Sequence, residues 1–160
     1  MIDFEYHAPT SLVQVFDLLD QYGEDARAMA GGTALVIQMK QRLSQPGHIV
    51  GLRGVEGLNS IESTSEGIKI GALCTQREIE NNIVIAEDLP LLVDTFRKVA
   101  TPRIRNMATI GGGLVNGDPS QDPPPSGGGG TGGSCCPSGV CLGSQRRHPG
   151  RRSLPNGDGA

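Results

Sequence analysis

Two adjacent glycines, Gly31 and Gly32, sit between the strand-like run Ala26-Arg27-Ala28-Met29-Ala30 and a segment whose apolar residues Leu35, Met39 and Leu43 recur at helical spacing. An apolar run that breaks at Gly-Gly and resumes with a helical period predicts a strand, a tight turn and a helix in that order. A turn without β-carbons lets a ligand reach the backbone, and amides ahead of a helix carry partial positive charge. The run therefore reads either as a plain tight turn or as an anion seat. Thr109-Ile110-Gly111-Gly112-Gly113-Leu114 repeats this grammar about eighty residues later. Two such seats would suit an extended ligand carrying a diphosphate. Neither run reads G-x-G-x-x-G, and neither ends in the Lys-Ser/Thr of a P-loop, so the common nucleotide folds match poorly.

The pattern on either side extends the reading. Phe4–Ala8 is a short extended stretch. Thr10 or Ser11 can cap a helix bearing Leu12, Phe16, Leu19 and Tyr22, and Gly23 ends it. Thr33 is placed to cap the helix after the first glycine turn, Pro46 closes that helix, and His48–Leu52 is the next strand. A β-α-β-α-β order over Phe4–Leu52 favours a small parallel sheet. Ser60–Ser63 and Gly67–Gly71 predict antiparallel strands around a Ser65-Glu66-Gly67 turn. Thr75 can cap Gln76–Asn82, Leu89–Ala100 carries a buried helical face, and Pro102 stops it. Everything from there to Asp122 reads as polar loop, where ligand groups are commonly presented.

Composition enters where the chain changes character. Eleven of the 24 glycines lie in Ser126–Ala160, a stretch with no Ile, Phe, Tyr, Met or Lys. Such a segment cannot bury a core and is expected to be a disordered Gly/Pro/Arg-rich tail; an out-of-frame reading of a GC-rich gene would produce this change. The formal charge of −3 argues against a nucleic-acid partner. Met1–Glu5 lacks the plan of an export signal and no apolar run is long enough to span a bilayer, so no integral membrane segment and a cytoplasmic location are expected. Cys135, Cys136 and Cys141 lack the further spacing and fourth ligand of an iron–sulfur run. Four cysteines, three in the tail, make no disulfide framework. The histidines show no metal-ligand spacing, and His7 and His48 read as hydrogen-bonding or packing residues. No metal site and no catalytic side chain are expected.

Four runs taken together carry a resemblance: Ala30-Gly31-Gly32-Thr33 with Met39-Lys40-x-Arg42-Leu43; Pro46-x-His48; Ile104-Arg105-Asn106-x-Ala108-Thr109-Ile110-Gly111-Gly112; and Asn116-x-Asp118-Pro119-x-x-Asp122. In order and spacing the chain resembles, from about Phe4 to Pro125, the FAD-binding medium subunit of molybdenum hydroxylases of the carbon monoxide dehydrogenase and xanthine dehydrogenase type. The resemblance implies an α+β chain: two small α/β subdomains of the PCMH (vanillyl-alcohol-oxidase-type) FAD-binding fold, the second incomplete. Residues 1–57 would be the N-terminal subdomain, 58–125 the first part of the second, and 126–160 the tail. It implies FAD held by Arg27, Ala28, Met29, Ala30, Gly31, Gly32, Thr33 and Ala34 on one side. On the other stand Thr75, Thr109, Gly111, Gly112, Gly113 and Asp122, the last against the flavin's sugar portion. Ala34 stands where many relatives carry Ser or Asp, and Gly113 where Asn is usual. It implies as partners a molybdopterin-containing large subunit and a 2Fe-2S small subunit, with electrons passing through the flavin to NAD or a quinone-type acceptor. A fragment that does not retain flavin is the alternative. From the residues themselves, Thr75 serves equally as a helix cap, Arg103 and Arg105 either bring positive charge or fix a loop, and Asp118 with Asp122 reads as a solvated loop.

Overall fold

The computed structural model describes residues 3–65 and 67–117, and the backbone of 134–136 and 139–143. The first half runs β1 (Glu5–His7), α1 (Leu12–Tyr22), β2 (Ala26–Met29), α2 (Leu35–Lys40) and β3 (His48–Gly51). The strands are parallel in the order β1-β3-β2, the sheet that the β-α-β-α-β pattern predicts. Ser11 caps α1 by accepting from the Gln14 amide, and Val15 on its inner face is buried with Ala26, Val50, Val55 and Leu58. Parallel strands that lie side by side end on the same edge, so the chain leaving β2 at Met29 and the chain leaving β3 at Gly51 emerge together. The Leu52 amide donates to the Met29 carbonyl at 2.9 Å. The first glycine turn thus starts from the edge where open α/β sheets present ligands.

The second half begins with the antiparallel hairpin β4 (Ile61–Thr64) and β5 (Gly67–Ile70), as the alternation of Ile68-Lys69-Ile70 predicts. Short helices follow: α3 (Gln76–Asn81), α4 (Ile83–Asp88), α5 (Pro90–Lys98), α6 (Pro102–Arg105) and α7 (Ile110–Asn116). Ile68 and Ile70 close a separate core with Cys74, Ile79, Ile85, Val93 and Phe96. Each fully buried isoleucine there is worth about 1.5–3 kcal/mol of transfer free energy.

Besides α4, which the sequence pattern leaves unassigned, sequence and structure differ in three places here. The segment expected as loop after Pro102 contains two helical turns. Pro102 ends nothing: it is the first residue of α6, where proline's missing N–H costs no hydrogen bond, with Thr101 as cap. The second glycine run is not a turn but the first part of α7, started by the Thr109 hydroxyl accepting from the Gly112 amide. In the tail, β6 (Ser134–Cys136) and β7 (Gly139–Gly143) pair with each other, and β7 pairs antiparallel with β5, giving the order β4-β5-β7-β6. Composition predicts no regular structure for these residues. Strand addition, however, draws on main-chain groups, and a free edge of β5 offers a row of them whatever the side chains are. Among the described residues, no helix is long and apolar enough to cross a membrane.

Candidate functional site

The first glycine turn is built from a strand end and an irregular loop. Gly32 takes φ +73°, a left-handed conformation that glycine adopts at least cost. Gly31 is required for a different reason: a β-carbon there would land on the Met107 carbonyl oxygen of the second half. Ala34, not Thr33, is the N-cap of α2, and no side chain caps it, which corrects the expected role of Thr33. The first helical hydrogen bond runs from the Val36 amide to the Gly32 carbonyl at 3.0 Å. Among the described residues, the amides of Gly31, Gly32, Thr33, Ala34 and Leu35 donate to no protein acceptor. Five consecutive unspent N–H groups on a half-buried loop make a concentrated donor surface for an anion.

The second run is bonded quite differently. The Ile110 amide donates to the Cys74 carbonyl at 3.0 Å, and Gly111 to Ala72 at 2.9 Å. Gly113 donates to Thr109 at 3.1 Å, and Gly112 to the Thr109 hydroxyl at 3.2 Å. The four amides from Ile110 to Gly113 are therefore engaged, and these glycines do not form the expected second anion seat with free backbone donors. Its glycines give proximity instead. A β-carbon on Gly111 would stand 2.7 Å from that of Ala72, and one on Gly112 would stand 3.6 Å from the Ala30 β-carbon. The two glycine runs are thus neighbours, packed across the seam between the halves.

A cleft of about 370 Å³ opens at this seam, lined by Ala30 and Gly31 on one side and Thr75 and Thr109 on the other. Thr75 and Thr109 are joined by an antiparallel bridge, and the Gln76 amide donates to the Ala108 carbonyl at 2.9 Å. Thr75 also forms a full capping box with Glu78, so it is at once a helix cap and a wall residue. Of the other expected site residues, Gly32, Thr33 and Ala34 follow Gly31 in the loop, while Gly111, Gly112 and Gly113 lie just past Thr109 in α7. Ala28 and Met29 lie on β2 behind the turn. The Arg27 guanidinium is spent on the carbonyls of Glu24 and Ala26, at 2.9 and 2.8 Å. Asp118 and Asp122 lie outside the described residues.

The wall holds residues that the sequence pattern does not point to, Arg53, Asn59, Arg77 and Met107, beside Asn106 of the third motif run and Leu73. Arg53 lies two residues past the end of β3, on the edge that also launches the first glycine turn, and that position is the signal that could have found it. Its Nη2 reaches the Met107 sulfur at 3.4 Å, a weak acceptor, and among the described residues no carboxylate pairs with it. Arg105, a candidate for bringing charge to a ligand, is buried and spent elsewhere. It pairs with Glu80 at 3.1 Å and donates to the carbonyls of Val99 and Ala100. Burial alone would raise the Glu80 carboxyl, but hydrogen bonds and charge from Arg77 and Arg105 outweigh it and hold the group below the usual carboxylate range. Burial pushes the Cys74 thiol up, so this cysteine is an inert wall behind the seam.

A family described as the FAD binding domain in molybdopterin dehydrogenase matches residues 2–126 of this chain. The chain belongs to that family. The medium chain of carbon monoxide dehydrogenase from Afipia carboxidovorans is 42% identical over 119 residues, 74% of this chain and 41% of that protein. The FAD-binding subunit of xanthine dehydrogenase from Escherichia coli O157:H7 is 32% identical over 124 residues, 76% of this chain and 42% of that one. Among solved structures, carbon monoxide dehydrogenase from Hydrogenophaga pseudoflava superposes with a TM-score of 0.73 at 37% identity, over 76% of this chain and 43% of that one. The chain spans about two fifths of the length of the curated relatives it matches. This molybdopterin dehydrogenase FAD-binding domain therefore has the α+β fold of its relatives, and FAD is the family's cofactor.

The residues present fit such a group. A dinucleotide needs donors for its phosphates, a cation near them and a partly apolar wall. The seam supplies the amides of Gly31–Leu35 and the Arg53 guanidinium, neither engaged by a carboxylate among the described residues, and Leu73 with Met107.

Proposed function

We propose that this chain is the FAD-holding part of a redox subunit that passes electrons from the iron–sulfur clusters of a molybdenum hydroxylase complex to NAD or a quinone-type acceptor. The observation that carries the reading is the run of five unspent amides beside a cleft whose opposite wall is Thr75 and Thr109. The amides of Gly31–Leu35 would hold phosphate oxygens, and the Thr33 hydroxyl, free of capping duty, adds a donor. Arg53 would supply the balancing positive charge, and Leu73 and Met107 would exclude water from the cleft wall. Thr109, Gly111 and Gly112 would shape the far side by close approach, with Gly113 next to them on the open side, and Asp122 would accept from a sugar hydroxyl. Bound FAD supplies the electron-transfer chemistry, and no side chain of this site is needed as acid, base or nucleophile. A molybdopterin-containing large subunit and a 2Fe-2S small subunit in the cytoplasm are the partners this reading implies.

The test is direct. The purified 160-residue chain, mixed with FAD and desalted, should retain a yellow, acid-extractable flavin near one equivalent. Arg53→Ala should weaken retention by about tenfold, the loss of one charge-assisted contact. A chain that folds, yet emerges colourless at any FAD concentration, is the alternative fragment and overturns the proposal.

A further inference from the structure

The one clustering of metal-ligating groups among the described residues lies away from the cleft, in the first half. Glu5 and His7 alternate on β1 and so face the same side of the sheet, and His48 is the register partner of Glu5 on β3. That side is the one covered by α1, because Ala26 on β2, also paired with His48, is buried under it. Tyr22 at the end of α1 stacks on the His48 ring at 3.7 Å between centroids and on His7 at 5.2 Å. Two imidazoles are thereby held in place by an aromatic lid, with an exposed carboxylate at their mouth.

We propose that Glu5, His7 and His48 form a binding site for a divalent transition cation of the zinc class. His7 Nε2 and His48 Nδ1 stand 3.1 Å apart, and His48 Nδ1 stands 3.6 Å from Glu5 Oε2. All three ligand atoms lie within 4.8 Å of one another. A tetrahedral ion with bonds of about 2.0–2.1 Å to nitrogen and oxygen separates neighbouring ligand atoms by about 3.3 Å. The two distances to His48 Nδ1 bracket that value, and the third pair, His7 with Glu5, lies within 4.8 Å, so rotation of the exposed Glu5 side chain is what closes the set around an ion. Two neutral imidazoles and one carboxylate leave a fourth position for water, and this donor set favours zinc, cobalt and related ions over calcium or magnesium. Each imidazole, when neutral, carries one hydrogen and one lone pair, and which nitrogen bears the hydrogen is set by its partner. A bound ion takes the lone pair and leaves the hydrogen on the other nitrogen of each neutral ring. The bound ion ties β1 to β3 through side chains as well as main chain, a clamp on the first strand that is independent of flavin.

The test uses the chain with Cys135, Cys136 and Cys141 changed to Ser, which removes competing thiols. Zinc ion followed by calorimetry should bind one equivalent and raise the melting temperature, and cobalt ion should give the intense visible bands of a tetrahedral site. His7→Ala should abolish both signals. Glu5→Gln, at a side chain 64% exposed, should leave the fold intact and weaken binding by at least about tenfold, as loss of even an outer partner does. Flavin content should be the same in all variants, which separates this inference from the proposed function. Absence of saturable binding at one equivalent, or an affinity unchanged by Glu5→Gln, overturns the proposal whether or not His7→Ala folds.

Discussion

The two glycine runs look alike in sequence and do opposite things with their backbones. Among the described residues, the amides around Gly31 and Gly32 are left open over five residues, while around Gly111–Gly113 each amide has a protein partner. The first run spends its missing β-carbons on a left-handed turn and on contact with Met107, the second on contact with Ala72 and Ala30. A glycine pattern reports that something comes close. Whether the close object is a ligand or the protein's own chain is decided by where the N–H groups go, and only the first run leaves them free.

The largest effect should come from the buried ion pair in the half that carries the second run. Arg105→Ala leaves Glu80 buried beside Arg77 alone and should cost about 3–5 kcal/mol of stability in chemical denaturation; a loss below about 1 kcal/mol would show that this half does not depend on the pair. The same pair sets an acid limit. Because Glu80 is held below its ordinary value, its contribution is fully present above the unfolded value of about 4.3 and is lost as pH falls through the lower folded value. Glu80→Gln should flatten the fall in stability below pH 4 by one group's share.

Next in size is a pair of alanine substitutions. Gly31→Ala, forced against the Met107 carbonyl, should cost about 1–3 kcal/mol and abolish flavin retention. Gly113→Ala meets nothing within 4 Å and should stabilise α7 by about 0.5–1 kcal/mol. Equal outcomes in thermal melts would erase the distinction between a close-packed glycine and a free one.

The smallest and sharpest contrast is between two threonines. Thr109→Ala removes a cap and should cost about 1 kcal/mol. Thr33→Ala removes none and should change stability by under about 0.5 kcal/mol while weakening FAD in a titration. If Thr33→Ala proves the more destabilising, the uncapped reading of the first run fails.

Sequence periodicity reached the first half well because its strands and helices alternate with clear apolar patterns and unambiguous breaks at Gly23 and Pro46. It missed α4, where the β-branched run Ile83-Val84-Ile85 reads poorly as helix and the Asn82 cap decides. It missed α6 and α7 because proline and glycine carry low helix propensity, here overridden by the Thr101 and Thr109 caps and by bonds to Ala72 and Cys74. Among site residues, the glycine runs were legible locally. Arg53, Arg77 and Met107 were not, since they meet only through the packing of distant segments. His7 and His48 lie 41 residues apart and become a pair only through parallel strand register.

The contact of Gly31 with the Met107 carbonyl has one further effect. Where two halves of a clamp touch main chain to main chain, no rotamer stands between them, and the gap is gauged by bond lengths and angles alone. Whatever the side chains elsewhere along the seam do, the jaws keep one fixed opening here, set by an atom that is missing.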